Sequence, residues 1–185
     1  LVKEFIRISA IKGVDVFRIF DSLNWMESMK MPVEEALKTG KIVEGSLCYT
    51  GDITSPKEVK YTLDYYVKKA HELEDMGVHI LAIKDMAGLL KPYAAKLLVE
   101  TLKSELKIPV HLHTHDTTGA GVATVLKAAE AGVDIVDLAI ESMSSCTSQP
   151  SLNVVVEALR GTERDTGLDF EGLDELSRYY EHVRK

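Results

Sequence analysis

The sequence predicts an α/β fold with a parallel sheet. Within that class it predicts a partial (β/α)8 TIM barrel holding about five of the eight βα units, the later strands. Three observations lead there. Apolar, β-branched runs alternate with helical segments along the chain, the pattern of parallel strands covered on both faces. The same punctuation recurs in IKGVDV, DMGVHI and EAGVDI: a glycine just past a helix end, then a β-branched residue opening a strand. Polar residues also gather at the C-terminal ends of several different strands: Asp21, Thr50, Lys84 with Asp85, His115 with Asp116, and Glu141. Barrel enzymes collect their chemistry from many strand ends, whereas a doubly wound sheet concentrates it at one switch point. GAG at 119–121 follows a strand but lacks the third glycine of a dinucleotide fingerprint.

The elements follow in order. LVKEFIRISAIKG opens the chain as a helix, and VDVFRIFD (14–21) and KIVEGSLCYT (41–50) read as strands. Residues 57–76 carry Tyr61, Tyr65, Ala70, Leu73 and Met76 near helical spacing. VHILAIKD (78–85) is the next strand, and Pro92 starts a helix to about 106. VHLHTHD (110–116), an alanine-rich helix over 119–131 and the strand VDIVDLAI (133–140) complete the repeat. Thr147, Ser148 and Gln149 precede a further helix, and capping it is their simplest reading. The strands read as apolar with polar residues at their ends. The whole of 1–185 reads as a single domain.

Barrels open with a strand and need about 250 residues. A chain of 185 residues that opens with a helix is therefore expected to be the C-terminal part of a barrel truncated upstream. Such a slice has two free edges and apolar strand faces, so a homodimer or higher oligomer is expected.

Net charge is −7, which argues against nucleic-acid and anionic membrane surfaces as partners. Cys48 and Cys146 form no CxxC pattern, as expected of free thiols in a reducing compartment such as the cytoplasm or mitochondrial matrix. No run approaches transmembrane length.

The most telling run is PVHLHTHD, which places His111, His113 and His115 at alternate positions. Side chains alternate across a strand, so the three imidazoles share a face. Imidazole is the commonest metal ligand, and residues at i and i+2 on a rigid strand can hold one cation. Lys84 follows a mostly apolar run. Its plain alternative is an ion pair with Asp85 or Asp116; burial would instead favour the neutral amine. Asp85 and Asp116 are candidates to orient the lysine or the histidines. Arg18 and Asp21 either contribute to the barrel mouth or pair internally.

FRIFDSLNW (17–25), GSLCYTGDI (45–53), ILAIKDMAGLLKP (80–92), HLHTHDTTG (111–119) and SSCTSQPS (144–151) together resemble the carboxyltransferase domains of the pyruvate carboxylase family. Oxaloacetate decarboxylase α subunits and transcarboxylase 5S subunits are close relatives of that family. More distantly, HxHD is similar to the metal-dependent aldol and Claisen enzymes. The resemblance implies transfer of a carboxyl group from carboxybiotin to pyruvate, giving oxaloacetate, at a divalent zinc or manganese ion. The family holds its metal with an aspartate, two histidines and a carbamylated lysine. By position the lysine falls on Lys84 and the histidines on His113 and His115, so Lys84 is also the implied catalytic residue. His111 lies one pleat deeper and reads as a buried, hydrogen-bonded core residue.

The family's arginine–aspartate–alanine–histidine–glutamine segment, its pyruvate-binding residues and its biotinylation segment have no counterpart here. Met29-Lys30-Met31 lacks the biotinylation context and reads as coincidence. The chain alone is therefore expected to be inactive. An aldol-type lyase and an inert self-associating fragment are the alternatives, and KDMAGLLKP and SQPS argue against the lyase.

Overall fold

A computed structural model describes residues 1–184. It contains five parallel strands in one sheet: β1 (Val16–Phe20), β2 (Ile42–Cys48), β3 (Ile80–Asp85), β4 (Val110–Thr114) and β5 (Ile135–Val136). Their spatial order equals their sequence order. Right-handed crossovers between sequential neighbours place every connecting helix on one face of the sheet, as in a barrel wall. β1 and β5 are the free edges, and the sheet does not close on itself.

Among the described residues seven α-helices accompany the sheet: α1 (Val2–Ile11), α2 (Met26–Leu37), α3 (Leu63–Asp75), α4 (Pro92–Glu105), α5 (Gly121–Glu130), α6 (Leu152–Leu159) and α7 (Phe170–Arg184). α3 starts later than the apolar spacing predicts. The Glu58 carboxylate accepts from the backbone N–H groups of Lys60 and Tyr61, turning the chain. The Thr62 hydroxyl then caps the helix by accepting from Tyr65 N–H. β5 is much shorter than the run 133–140. After Val136 the chain leaves the ladder, although Asp137 N–H still donates to Leu112 O (3.0 Å). No helix among the described residues is long and apolar enough to cross a membrane.

The period of two divides the sheet's residues sharply. Phe17, Val43, Leu47, Leu81, Ile83, Val110 and Leu112 face the helices and form one buried cluster with Leu73, Leu98, Leu102 and Val125. Gly45 lies on the same side. A Cβ there would stand 3.0 Å from Val78 Cγ1 and 3.1 Å from Leu73 Cδ2, so glycine permits the close approach of α3.

The opposite, concave face corrects one expectation. It is not apolar throughout. In register across the strands it carries Arg18 beside Glu44, Ser46 beside Ala82, Cys48 beside Lys84, and Lys84 beside His113. Only its rim is apolar and open, at Val16, Phe20, Ile42 and Ile135.

Tyr49 and Tyr66 stack with ring centroids 5.2 Å apart beneath the loop after β2. The Tyr66 hydroxyl accepts from Thr50 N–H (2.8 Å) and donates to Thr50 O (2.9 Å). Burial pushes both phenols up, Tyr49 to about 12. A raised folded pKa contributes stability that is complete below the unfolded value of about 10 and is lost as pH rises through the folded value. Alkaline titration followed by phenolate absorbance should therefore show two of the seven tyrosines ionising only as the fold melts. Ionisation of all seven before any loss of far-UV dichroism would contradict this.

Candidate metal centre

The centre is built on β4 and the loop beyond it. His111 and His113 project from the concave face, and His115 continues the alternation one pleat past the strand. The structure brings His113 and His115 together: their Nε2 atoms lie 3.2 Å apart, with ring planes at 73°. His115 Nδ1 lies 2.6 Å from the Thr147 carbonyl oxygen. A carbonyl only accepts, so this nitrogen carries the proton and the lone pair is on Nε2. His113 Nδ1 lies 2.8 Å from Asp137 Oδ2. The Gln149 amide nitrogen stands 3.4 Å from His115 Nε2.

The loop that carries Thr147 is tightly wound. Ser145 and Cys146 have φ of +69° and +53°, a left-handed conformation costly for residues with a Cβ. Ser145 N–H donates to Gln149 O and Ser148 N–H to Ser145 O, which hold the turn (both 2.9 Å). On the other flank, Gly88 has φ +65°, and a Cβ there would stand 2.6 Å from the His115 carbonyl oxygen. Only glycine lets the loop after β3 close against the histidine strand.

Beneath His113 lies a closed circuit of charges. His111 is buried, with Nδ1 2.7 Å from Glu44 Oε2 and Nε2 2.9 Å from Asp137 Oδ1. Arg18 completes the ring, donating from Nε to Glu44 and from Nη1 to Asp137 Oδ2 (2.7 Å). Burial would lower the His111 pKa, but the hydrogen bonds to Asp137 and Glu44 outweigh it and hold the ring at about 9. Burial likewise opposes ionisation of the two carboxyls. His111 and Arg18 nevertheless hold Glu44 below its usual value, and His111, His113 and Arg18 hold Asp137 far below. Two cations and two carboxylates thus balance in a partly dry site.

Several expected partners are elsewhere. Asp85 does not touch Lys84. It sits on the helix side of the sheet, as the residue after Lys84 must, and accepts from Leu89 N–H, Leu90 N–H and the Thr114 hydroxyl (each 2.9 Å). Asp116 accepts from Gly121 N–H at the head of α5. The residue that meets His113 is Asp137, legible only as a carboxylate inside the apolar run VDIVDLAI. Arg18 pairs with Glu44 and Asp137, not Asp21, which accepts from Leu23 N–H, Trp25 N–H and the Ser28 hydroxyl. Ser151, not the 147–149 segment, caps α6. Among the described residues Lys84 has no ion-pair partner. Its half-buried amine lies 4.9 Å above the Phe20 ring. Met29, Lys30 and Met31 lie within α2, where Lys30 pairs with Glu27.

The donor set fits a divalent ion in part. Two nitrogens each about 2.0–2.1 Å from one zinc ion can be at most about 4.2 Å apart, and 3.2 Å is within that limit. Lys84, directly across the ladder from His113, is near enough in register to supply a third donor. Among the described residues no cluster of three or more His, Cys, Asp or Glu side chains completes a site.

The HMGL-like family matches residues 9–179. The chain belongs to the HMGL-like family. This HMGL-like chain is 52% identical to pyruvate carboxylase of Bacillus subtilis, over 100% of the chain and 16% of that protein. It is 55% identical to pyruvate carboxylase of Staphylococcus aureus over the same shares. It therefore spans about one-sixth of the length of these curated relatives. The carboxyl transferase domain of Rhizobium etli pyruvate carboxylase, solved with pyruvate and biocytin, superposes with a TM-score of 0.98 at 51% identity. The match covers 99% of this chain and 31% of that one.

Arg18→Met should leave the buried Glu44 carboxylate with His111 as its remaining partner. Breaking a buried pair by removing one member costs about 3 kcal/mol at the low end, and the retained His111 places the loss there. Urea unfolding would measure it, and a change under about 0.5 kcal/mol, the range of ordinary surface substitutions, would show that losing Arg18 does not leave an uncompensated buried charge on Glu44.

Proposed function

We propose that the chain is the metal-bearing block of strands in a biotin-dependent carboxyltransferase that moves a carboxyl group from carboxybiotin to pyruvate, forming oxaloacetate. The observation that carries this reading is the convergence of His113 Nε2 and His115 Nε2 at 3.2 Å on the C-terminal side of a parallel sheet, where barrel active sites lie. The Rhizobium etli domain solved with pyruvate and biocytin supports the substrates. The near-complete match to pyruvate carboxylases, together with KDMAGLLKP and SQPS, favours this reading over an aldol-type lyase.

In this reading His113, His115 and Lys84 hold a zinc or manganese ion, and a further ligand comes from outside the chain. When bound, the ion supplies Lewis-acid polarisation of the substrate oxygen. The chain's own residues present two imidazole lone pairs and keep their opposite nitrogens occupied. Lys84 must swing from its place over Phe20 to join them, as the carbamate that the resemblance implies. Biotin is carried elsewhere in the parent protein. The chain is one contiguous portion of a single barrel domain, working in the cytoplasm or mitochondrial matrix.

In the intact protein, His113→Ala and His115→Ala should each lower oxaloacetate formation from carboxybiotin and pyruvate by at least about 10²-fold, with a parallel loss of bound metal. Even second-layer substitutions around a metal cost 10–100-fold. Full metal content in either variant would overturn the reading. The isolated 185-residue polypeptide should show no carboxyl transfer and should self-associate. Its sheet edges are open, and Phe5 and Ile11 of α1 are 67% and 68% exposed. Light scattering at micromolar concentration checks this, and a clean monomer would rule out the expected homo-oligomer.

A further inference from the structure

We propose that Asp137 is a positioning residue for the metal centre, acting through His113 and itself held in place by Arg18 and His111. This rests on the metal reading above and assigns a role to a residue that is not itself a ligand.

Hydrogen-bond polarity places the protons around Asp137. Asp137 receives three contacts. Arg18 Nη1 and His113 Nδ1 meet Oδ2 at 2.7 and 2.8 Å, and His111 Nε2 meets Oδ1 at 2.9 Å. Arginine can only donate. The other nitrogen of His111 faces a second carboxylate oxygen, Glu44 Oε2, at 2.7 Å, so both His111 nitrogens donate. An ionised carboxylate is acceptor-only, so the 2.8 Å contact places a proton on His113 Nδ1; Arg18 Nη1 also stands 3.4 Å from that nitrogen, but its short bond is the one to Asp137 Oδ2 at 2.7 Å. The lone pair of His113 is then committed to Nε2, the atom that faces His115 Nε2.

The arrangement also fixes the angle of the ring. Asp137 lies beyond the last ladder residue of β5, where nothing in the sheet restrains it except its backbone N–H bond to Leu112 O. Arg18, from β1 at the opposite edge of the sheet, reaches across to it. His111, one pleat below His113 on β4, takes the second oxygen. The carboxylate is thereby clamped from two strands before it meets His113. A carboxylate that orients a ligating histidine is a general device for fixing tautomer and ring rotation. In this chain the clamp is a side-chain network for His113 and a main-chain carbonyl for His115.

The substitution Asp137→Asn would disrupt this polarity without changing shape. The amide has one acceptor oxygen for three donors, so its nitrogen must face either His111 or both Arg18 and His113, and in either orientation the clamp that holds the group loses a partner.

The test uses the intact protein and two metal probes, Zn²⁺ and Co²⁺, with chelator competition for affinity and the visible Co²⁺ bands for ligand geometry. In folded Asp137→Asn, affinity should fall 10–100-fold and the Co²⁺ bands should shift. Asp137→Glu keeps the charge that Arg18 and His111 require, which guards against loss of the fold. Its carboxylate stands one methylene further out, so affinity should fall several-fold with unchanged far-UV dichroism. Wild-type affinity and wild-type Co²⁺ bands in either folded variant would overturn the assignment. His113→Ala is the control that separates the two ideas. Metal retained in His113→Ala sinks the metal reading itself. Metal lost there but held normally in Asp137→Asn sinks only the positioning role.

Discussion

The concave face of the sheet depends on one constraint: four ionised groups, two of them buried and two half-buried, must balance one another. Glu44 is almost fully buried, and an isolated carboxylate in such a place would be untenable. Arg18 and His111 make it tenable, and Asp137 returns their charge. Because the four come from β1, β2, β4 and the residue after β5, they tie together strands that are not neighbours. A parallel ladder fixes adjacent strands only, and the circuit adds a transverse bond across the sheet. Buried ion pairs of this kind offset their own desolvation poorly. The circuit is better understood as fixing geometry than as supplying net stability.

That geometry reaches the surface through His113. The strand sets the spacing of the histidines, the circuit sets the rotation of one ring, and the loop 144–149 sets the other. Two loops of opposite character cooperate here. The loop after β3 closes on the histidine strand because Gly88 has no side chain, while the loop before α6 does so because Ser145 and Cys146 accept an unfavourable backbone conformation. Strain of that sort persists where surrounding hydrogen bonds over-determine it.

Much of this architecture was legible in the sequence. Every strand lies within an apolar run that announces it, and the glycine punctuation marks several of their starts. The sequential order of a barrel wall follows from the repeat. The shared face of the histidines follows from alternation alone. What the sequence did not reveal has physical reasons. The fifth strand stops at Val136, where the chain leaves the ladder at Asp137, whose side chain is held by Arg18, His111 and His113. Glu44 and Asp137 lie inside runs that read as apolar, and hydrophobic periodicity weighs a single carboxylate lightly although its burial demands a partner. Asp85 looked like a companion of Lys84 because it is adjacent in sequence, but adjacency in a strand means opposite faces. The role of Thr147 lies in its carbonyl, which every residue has, so no side-chain pattern could have shown it.

A main-chain acceptor and a side-chain acceptor let the sequence drift to different degrees. The acceptor for His115 belongs to the main chain, so residue 147 is free to vary in side chain as long as the turn keeps its path. The acceptor for His113 is a side chain with three donors to satisfy, and glutamate, the one other residue with two carboxylate oxygens, places them a methylene further out. Two imidazoles that face each other are thus buffered very differently against mutation: one by the backbone, which heredity cannot edit one atom at a time, the other by a single codon.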